Sequence, residues 1–167
     1  MIDTLNVDIE FDLNDFKSLN YQKDYNLTQE LENYIEAGHN KENIMINNYS
    51  EPNPMPAVVE KIKNFFPLLK NISVAVNLFH PGQYIPLHSD LYEKYIKLHN
   101  IQNIDNICRI IIMLHDGYPG QILQIQNNFY SDWKQGDSFI WYGGTSHAFY
   151  NLGKHDRYAI QLTGYKK

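Results

Sequence analysis

The chain has few of the features that define secreted or membrane-spanning proteins. It contains 167 residues with Cys108 as its single cysteine, which excludes an internal disulfide framework and a cysteine-rich zinc site. The longest apolar stretches, such as residues 110–114, are far shorter than the ~18 residues that indicate a membrane span. The N-terminal residues MIDTLNVDIEFD are acidic and alternating, without the basic and then apolar profile of a signal peptide. These absences predict a soluble, cytoplasmic protein with no membrane partner.

An excess of basic residues is also missing. The chain has 14 lysines and arginines against 19 aspartates and glutamates, so its formal net charge is −5. Proteins that bind the phosphate backbone of nucleic acids normally present a basic face. The charge therefore disfavours a nucleic acid partner, and a small molecule or a peptide is the expected substrate.

The residue patterns predict one domain, residues 1–167, with a supporting segment and a strand-rich core. Residues 1–70 combine a strand-like alternation at residues 7–13 with helix-like stripes at residues 27–35, after Asn26 as N-cap, and 58–69. Residues 71–167 contain seven short strand patterns separated by Pro-Gly, Asp-Gly and Gly-Gly turns. Many short strands with such turns are typical of a sandwich or barrel. The sequence therefore predicts a mainly β fold with flanking helices (α+β).

Three side chains from two distant parts of this core have the types and spacing of a metal site. His88 and Asp90 form an H-x-D pair at the end of a predicted strand, and residues i and i+2 of a strand point to one face. His147 follows a Gly-Gly-Thr-Ser turn and begins another predicted strand. Two imidazoles and one carboxylate on one face of a cation form the facial triad of non-haem Fe(II) oxygenases, whose open positions take a second substrate and O2. We therefore predict that these three residues bind Fe(II) and form the catalytic centre.

An arginine follows the second histidine at a spacing that brings it to the same cavity. Arg157 is one of two arginines in the chain and lies ten residues after His147, on the next predicted strand. A planar guanidinium matches a carboxylate in a bidentate way, which lysine cannot do. A buried arginine is costly unless it is paired, so the expected partner is the far carboxylate of a dicarboxylate co-substrate. A salt bridge to Asp156 or another nearby acid is the alternative.

A family resemblance is carried by the blocks HPGQYIPLHSD and WKQGDSFIWYGGTSHAFYNLGKHDRYAIQLTG. The first resembles the metal-binding strand of prolyl-hydroxylase-like 2-oxoglutarate/Fe(II)-dependent oxygenases, and the second resembles their closing strands. The resemblance covers about residues 72–164 and implies a double-stranded β-helix core, the jelly-roll or cupin-like fold, within residues 71–167. It also implies iron at His88, Asp90 and His147, with 2-oxoglutarate held by Arg157.

Two positions depart from the patterns of this superfamily. Phe79 stands where the family often has a tyrosine that can hydrogen-bond the co-substrate. Nucleobase demethylases of the superfamily usually carry an additional arginine after the first, and Thr163 occupies the position six residues after Arg157. Together with the acidic net charge, this makes a nucleobase demethylase a lower-ranked alternative.

Further residues extend the predicted site. Alternation places Arg109 on one face of its predicted strand with Ile111 and Met113. If that face is inward, the guanidinium needs an anion, either 2-oxoglutarate or an acidic group of the substrate; if it is outward, Arg109 is solvated. Tyr84 precedes the H-x-D strand and is the third expected co-substrate contact after Arg157 and Arg109, with aromatic core filling as its alternative. Trp141, before the second histidine, is expected either to line the substrate mouth or to fill the aromatic core.

The segment directly after the H-x-D pair, residues 91–107, has an amphipathic pattern. It is expected to be a helical or loop insertion and a candidate lid, with Tyr92, Lys94 and Tyr95 as its substrate contacts.

These residues together predict a dioxygenase. It would use Fe(II), 2-oxoglutarate and O2 to hydroxylate a C–H bond of an amino-acid, peptidyl or small-metabolite substrate, and would release succinate and CO2. The alternative from a different class is a non-catalytic jelly-roll protein that binds a peptide or a small acid, with a structural ion or none. Iron stoichiometry and O2-dependent succinate formation separate the two.

Overall fold

Two antiparallel sheets form the body of the protein. The computed structural model describes residues 2–24 and 29–166 of the chain. In this part the strands are β1 (Asp3–Asn6), β2 (Gln22–Asp24), β3 (Ile46–Ser50), β4 (Leu69–Phe79), β5 (Tyr84–His88), β6 (Ile107–Met113), β7 (Gln121–Ile125), β8 (Asn128–Tyr130), β9 (Asp137–Tyr142), β10 (His147–Asn151) and β11 (Arg157–Lys166). The helices are α1 (Asn14–Lys17), α2 (Gln29–Glu36), α3 (Val58–Asn64), α4 (Glu93–His99) and a 3₁₀ turn at Ile104–Asn106.

The chain alternates between the two sheets, as a jelly roll does. The larger sheet has the order β1-β9-β6-β11-β4-β3-β2, and the smaller has the order β5-β10-β7-β8. From β4 onward the chain leaves the larger sheet for β5, returns for β6, leaves again for β7 and β8, and alternates once more through β9, β10 and β11. This topology confirms the predicted mainly β fold with a jelly-roll core.

Alternation along the central strands separates two cores on opposite faces of the larger sheet. On β6, Ile110 and Ile112 belong to the outer cluster, whereas Ile111 and Met113 belong to the cluster between the sheets. Every residue of β6 is buried, which explains its uninterrupted apolar sequence, because a strand covered on both faces has no solvent side. The space between the sheets therefore receives the inward residues of β6 and of its neighbours.

The segment before β4 covers the outer face of the larger sheet. Val7, Phe11 and Phe16 pack there with Val59 and Ile62 of α3. The strand predicted at residues 7–13 is wrong: β1 lies at Asp3–Asn6 and pairs with β9. The buried side chains of Val7 and Phe11 anchor an irregular segment, in which the Val7 amide donates to the Gly136 carbonyl at 2.8 Å.

Helices lie at both predicted stripes of this segment, and the second is shorter than expected. α3 ends at Asn64, where the amide of Phe65 bonds back to the carbonyls of Ile62 and Lys63, and the chain then turns into β4. α2 begins by Gln29 in the described residues, and its expected cap, Asn26, lies outside them. None of the helices in the described ranges has the length and apolarity that crossing a membrane requires.

Four buried residues anchor residues 91–107 to the body of the protein, although most of this segment is exposed. Tyr92, Tyr95, Ile101 and Ile107 pack together, and the Tyr95 hydroxyl donates to the Asn71 carbonyl at 2.7 Å. This anchors α4 to the start of β4. Of the three side chains expected to touch substrate, Tyr95 is thus used for packing, which corrects its predicted role.

Candidate active site

Neighbouring strands of the smaller sheet bring the three predicted metal ligands together. β10 pairs with β5, and His147 lies opposite His88 with the two ring centroids 4.4 Å apart. Asp90 follows β5, and its carboxylate oxygens lie 3.7 Å from Nε2 of each histidine. One ligand atom from each of the three residues falls within 4.8 Å of the others. This is the spacing of groups that share one ion.

Backbone carbonyls orient both imidazoles for metal binding. His88 Nδ1 lies 2.8 Å from the Pro86 carbonyl oxygen, and His147 Nδ1 lies 3.0 Å from that of Thr145. A carbonyl oxygen only accepts, so Nδ1 of each ring carries the proton. The lone pair of each Nε2 therefore faces the other two ligands, which is the arrangement in which a second contact fixes a metal-binding histidine.

The electrostatics keep His147 and Asp90 in the protonation states that a divalent cation needs. Burial lowers the pKa of His147 to about 4, so this imidazole is neutral at physiological pH. Burial alone would raise the pKa of Asp90, but the charge of Arg109 and the contact with His88 hold it well below its usual range. A neutral imidazole and an ionised carboxylate are the metal-binding forms.

Arg109 points inward and contacts the predicted metal ligand Asp90. Its Nε and Nη2 atoms donate to Asp90 Oδ2 at 3.1 and 2.5 Å. Its Nη1 donates to Thr163 Oγ1 at 2.6 Å, and the Tyr92 ring centroid lies 5.0 Å from the guanidinium carbon. The anion that meets Arg109 is therefore a carboxylate of the protein itself, which corrects the expectation of a contact with 2-oxoglutarate or with an acidic substrate group.

Arg157 lies between the sheets in an apolar enclosure. Its guanidinium carbon is 4.3 Å from the Phe149 ring centroid and 5.5 Å from those of Phe79 and Trp133. Arg157 is 1 % exposed, and its Nη2 atom donates to Met113 Sδ at 3.4 Å. Nε and Nη1 are buried without a hydrogen-bond partner among the described residues. Burial lowers the pKa of this group to about 9.

The alternative salt bridge from Arg157 to Asp156 is not formed. Asp156 instead bonds Nδ1 of His80 at 2.8 Å. A buried cation with two free N–H groups is costly unless an anion reaches it. Within the described residues the Arg157 guanidinium therefore lacks the anion that its burial calls for.

Tyr84 does not join this enclosure. Its ring stacks on Tyr150, with centroids 6.2 Å apart, and its hydroxyl bonds Nδ1 of His39 at 2.5 Å. The next residue, Ile85, packs against the cluster between the sheets, so Tyr84 faces the outer side of the smaller sheet. The predicted co-substrate contact of Tyr84 is wrong.

Two features of the site were missed in the sequence. Trp133 lies in the irregular segment between β8 and β9, where no alternation reveals its inward direction. The contact between Arg109 and Asp90 could have been anticipated from the sequence, although only weakly. An inward arginine needs an acid, and Asp90 is the acid predicted at the same site. Trp141, whose ring centroid is 4.8 Å from that of His147, was recognised as a candidate.

Sequence comparison places the chain in no family: no family model and no curated protein matches it. Solved structures nevertheless share the fold. A prolyl-4-hydroxylase from Pseudomonas putida is 11% identical with a TM-score of 0.53, over 93% of this chain and 97% of that one. A viral collagen prolyl hydroxylase from Paramecium Bursaria Chlorella virus-1 is 14% identical with a TM-score of 0.51, over 90% and 98%.

A third similar structure is an oxidoreductase of the 2OG-Fe(II) oxygenase family from Burkholderia pseudomallei. It is 12% identical with a TM-score of 0.53, over 74% of this chain and 67% of that one. At such identities the likeness shows the fold alone. Fold and site together define a jelly-roll protein with a candidate metal site of two histidines and one carboxylate.

Proposed function

We propose that the protein is a 2-oxoglutarate- and Fe(II)-dependent oxygenase that hydroxylates a C–H bond. The observation that carries the proposal is the pairing of two features in one jelly roll. The His88, Asp90 and His147 triad has the donor set of a non-haem iron site, and the interior between the sheets holds Arg157, whose Nε and Nη1 have no hydrogen-bond partner among the described residues. A small dicarboxylate that also chelates the metal would satisfy both.

Each residue has a defined role in this proposal. His88, Asp90 and His147 hold Fe(II) from one side and leave the remaining coordination positions to ligands. Arg157 pairs with the far carboxylate of 2-oxoglutarate and so sets the direction of the co-substrate. Phe79 and Phe149 surround the guanidinium and exclude water from that contact. When bound, iron and 2-oxoglutarate supply the oxidative chemistry that consumes O2 and releases succinate and CO2.

The primary substrate reaches the metal from the side of His88. The His88 side chain is 22% exposed, whereas that of His147 is 5% exposed. We propose an amino-acid, peptidyl or small-metabolite substrate there, because the net charge of −5 disfavours a nucleic acid.

The test is anaerobic binding of Fe(II) and 2-oxoglutarate, followed by a succinate-release screen with O2 over amino acids, peptides and methylated nucleobases. O2-dependent succinate that is lost in His147→Ala supports the proposal. Metal or acid binding without succinate under any condition would instead indicate the non-catalytic binding protein. Turnover confined to methylated bases would indicate the demethylase.

A further inference from the structure

The interior of the jelly roll contains buried N–H groups that meet no acceptor. They are Nε and Nη1 of Arg157 and the indole Nε1 atoms of Trp133 and Trp141, all without a hydrogen-bond partner among the described residues. All four are donors only. A buried donor that is left unpaired is destabilising, so this interior favours a ligand rich in acceptor oxygens.

Trp133 lies beside the arginine, in the apolar cluster between the sheets. Its ring centroid is 5.5 Å from the Arg157 guanidinium carbon, and the residue is 3% exposed. The indole packs closely against Gly117, where a Cβ atom would lie 3.3 Å from Trp133 Cε2, and the Gly117 amide donates to the Trp133 carbonyl at 2.9 Å. The indole thus lies between a closely packed segment of backbone and the guanidinium that lacks an anion.

Solvent does not satisfy the Trp133 N–H. A groove of about 590 Å³, lined in part by Tyr130, Trp133 and Phe139, opens at this edge of the jelly roll. The indole nitrogen is nevertheless buried, so it does not face the water in the groove. An acceptor for this donor would therefore have to lie in the interior between the sheets, not in the groove.

We infer that the Trp133 indole N–H is a second donor to the carboxylate that Arg157 binds. Trp133 is then a specificity-determining residue for ligands that carry a carboxylate at the end opposite the metal-chelating group. This inference rests on the proposed function and adds a residue to its co-substrate site. Trp141 is not part of that contact, because its ring lies against His147 at the metal end.

The experiment compares two ligands that differ only at the far end. 2-Oxoglutarate and 2-oxopentanoate have the same chain length and the same chelating group, and only the first has a second carboxylate. Their affinities are measured by calorimetry without O2 on the Mn(II)-loaded wild type, Trp133→Phe and Tyr158→Phe. Tyr158 is the matched control, because it adjoins Arg157 in sequence but packs on the outer face of the sheet.

If the Trp133 N–H donates to the far carboxylate of the ligand, its loss should weaken only the ligand that has this carboxylate. Trp133→Phe should reduce the preference for 2-oxoglutarate over 2-oxopentanoate about tenfold, while the affinity for 2-oxopentanoate changes less than about twofold. Tyr158→Phe should keep the wild-type preference. An unchanged preference in Trp133→Phe, or equal weakening of both ligands, would overturn the inference, since equal weakening indicates a packing role.

A second measurement needs no variant with a changed core. The chain has two tryptophans, so ¹⁵N-labelled protein with Zn(II) gives two indole N–H signals. The Trp133 signal should move downfield with 2-oxoglutarate and not with 2-oxopentanoate; no difference between the ligands would contradict the inference. If the metal-loaded wild type binds neither keto acid, the proposed function itself fails, which is distinct from a failure of Trp133 alone.

Discussion

Arg109 holds Asp90 by a single carboxylate oxygen. Both Nε and Nη2 of the guanidinium donate to Oδ2, whereas Oδ1 lies 3.7 Å from Nε2 of His88. The arginine is itself fixed by Thr163 Oγ1. Oδ2 is therefore held by the arginine while it lies 3.7 Å from Nε2 of His147, and Oδ1 faces His88 without contact to the arginine.

The first prediction concerns this contact. Arg109→Gln should weaken Fe(II) or Mn(II) binding about 10- to 100-fold, which is the usual effect of losing a residue that orients a ligand. Without the cation beside it, the pKa of buried Asp90 should also rise. Competition with a chelator at several pH values measures both effects, and metal release should move to higher pH in the variant. Unchanged affinity and an unchanged pH profile would show that Arg109 does not position Asp90.

The second prediction separates metal binding from turnover. Asp90→Ala removes the one carboxylate of the triad, so the variant should lose the metal, rather than bind it and consume 2-oxoglutarate without hydroxylation. Metal content after dialysis against excess Fe(II) under anaerobic conditions checks this. A variant that retains stoichiometric iron would contradict the assignment of Asp90 as a ligand.

The third prediction is a pH dependence of the metal-free protein. The folded-state pKa of His147 is about 4, against 6.5 for an unperturbed histidine. Between these values the unfolded chain binds a proton that the folded chain does not, so stability falls as pH falls from about 6.5 to 4. The contribution is up to about 3 kcal/mol. Denaturant titrations at several pH values give the free energy of unfolding at each pH. Between pH 6.5 and 4 this free energy should fall less steeply in His147→Gln than in the wild type. The same dependence on pH in both proteins would contradict the prediction.

Period-two alternation predicted much of the site. It placed His88 with Asp90 on one face, and it placed Arg109 with Ile111 and Met113. The alternation did not predict the partner of Arg109, because it gives the direction of a side chain and not its distance to another element. The fold class followed from the turn signals, whereas β1 was misplaced because Val7 and Phe11 are buried without being in a strand.

Tyr84 shows how a local irregularity defeats the same rule. Strict alternation puts Tyr84 and His88 on one face of β5. The pairing with β10 shifts, however, because three steps from Ile85 to His88 oppose two steps from His147 to Phe149. A shift of one residue turns the preceding side chains to the other face. The position of such a shift depends on the partner strand, so the sequence of β5 alone does not reveal it.

The last prediction is that Arg157 lowers the stability of the ligand-free protein. The guanidinium is buried with Nε and Nη1 unpartnered among the described residues, and replacing such a charge by an apolar side chain of similar volume is often stabilising. Arg157→Met should therefore raise the free energy of unfolding by about 1–3 kcal/mol, while it abolishes the added stability that 2-oxoglutarate gives to the metal-loaded wild type. Denaturant unfolding with and without ligand measures both effects, and Tyr158→Phe again serves as the control in the same strand. If Arg157→Met is instead less stable than the wild type without ligand, the arginine already has a compensating partner, and its role as the anchor of a ligand carboxylate fails.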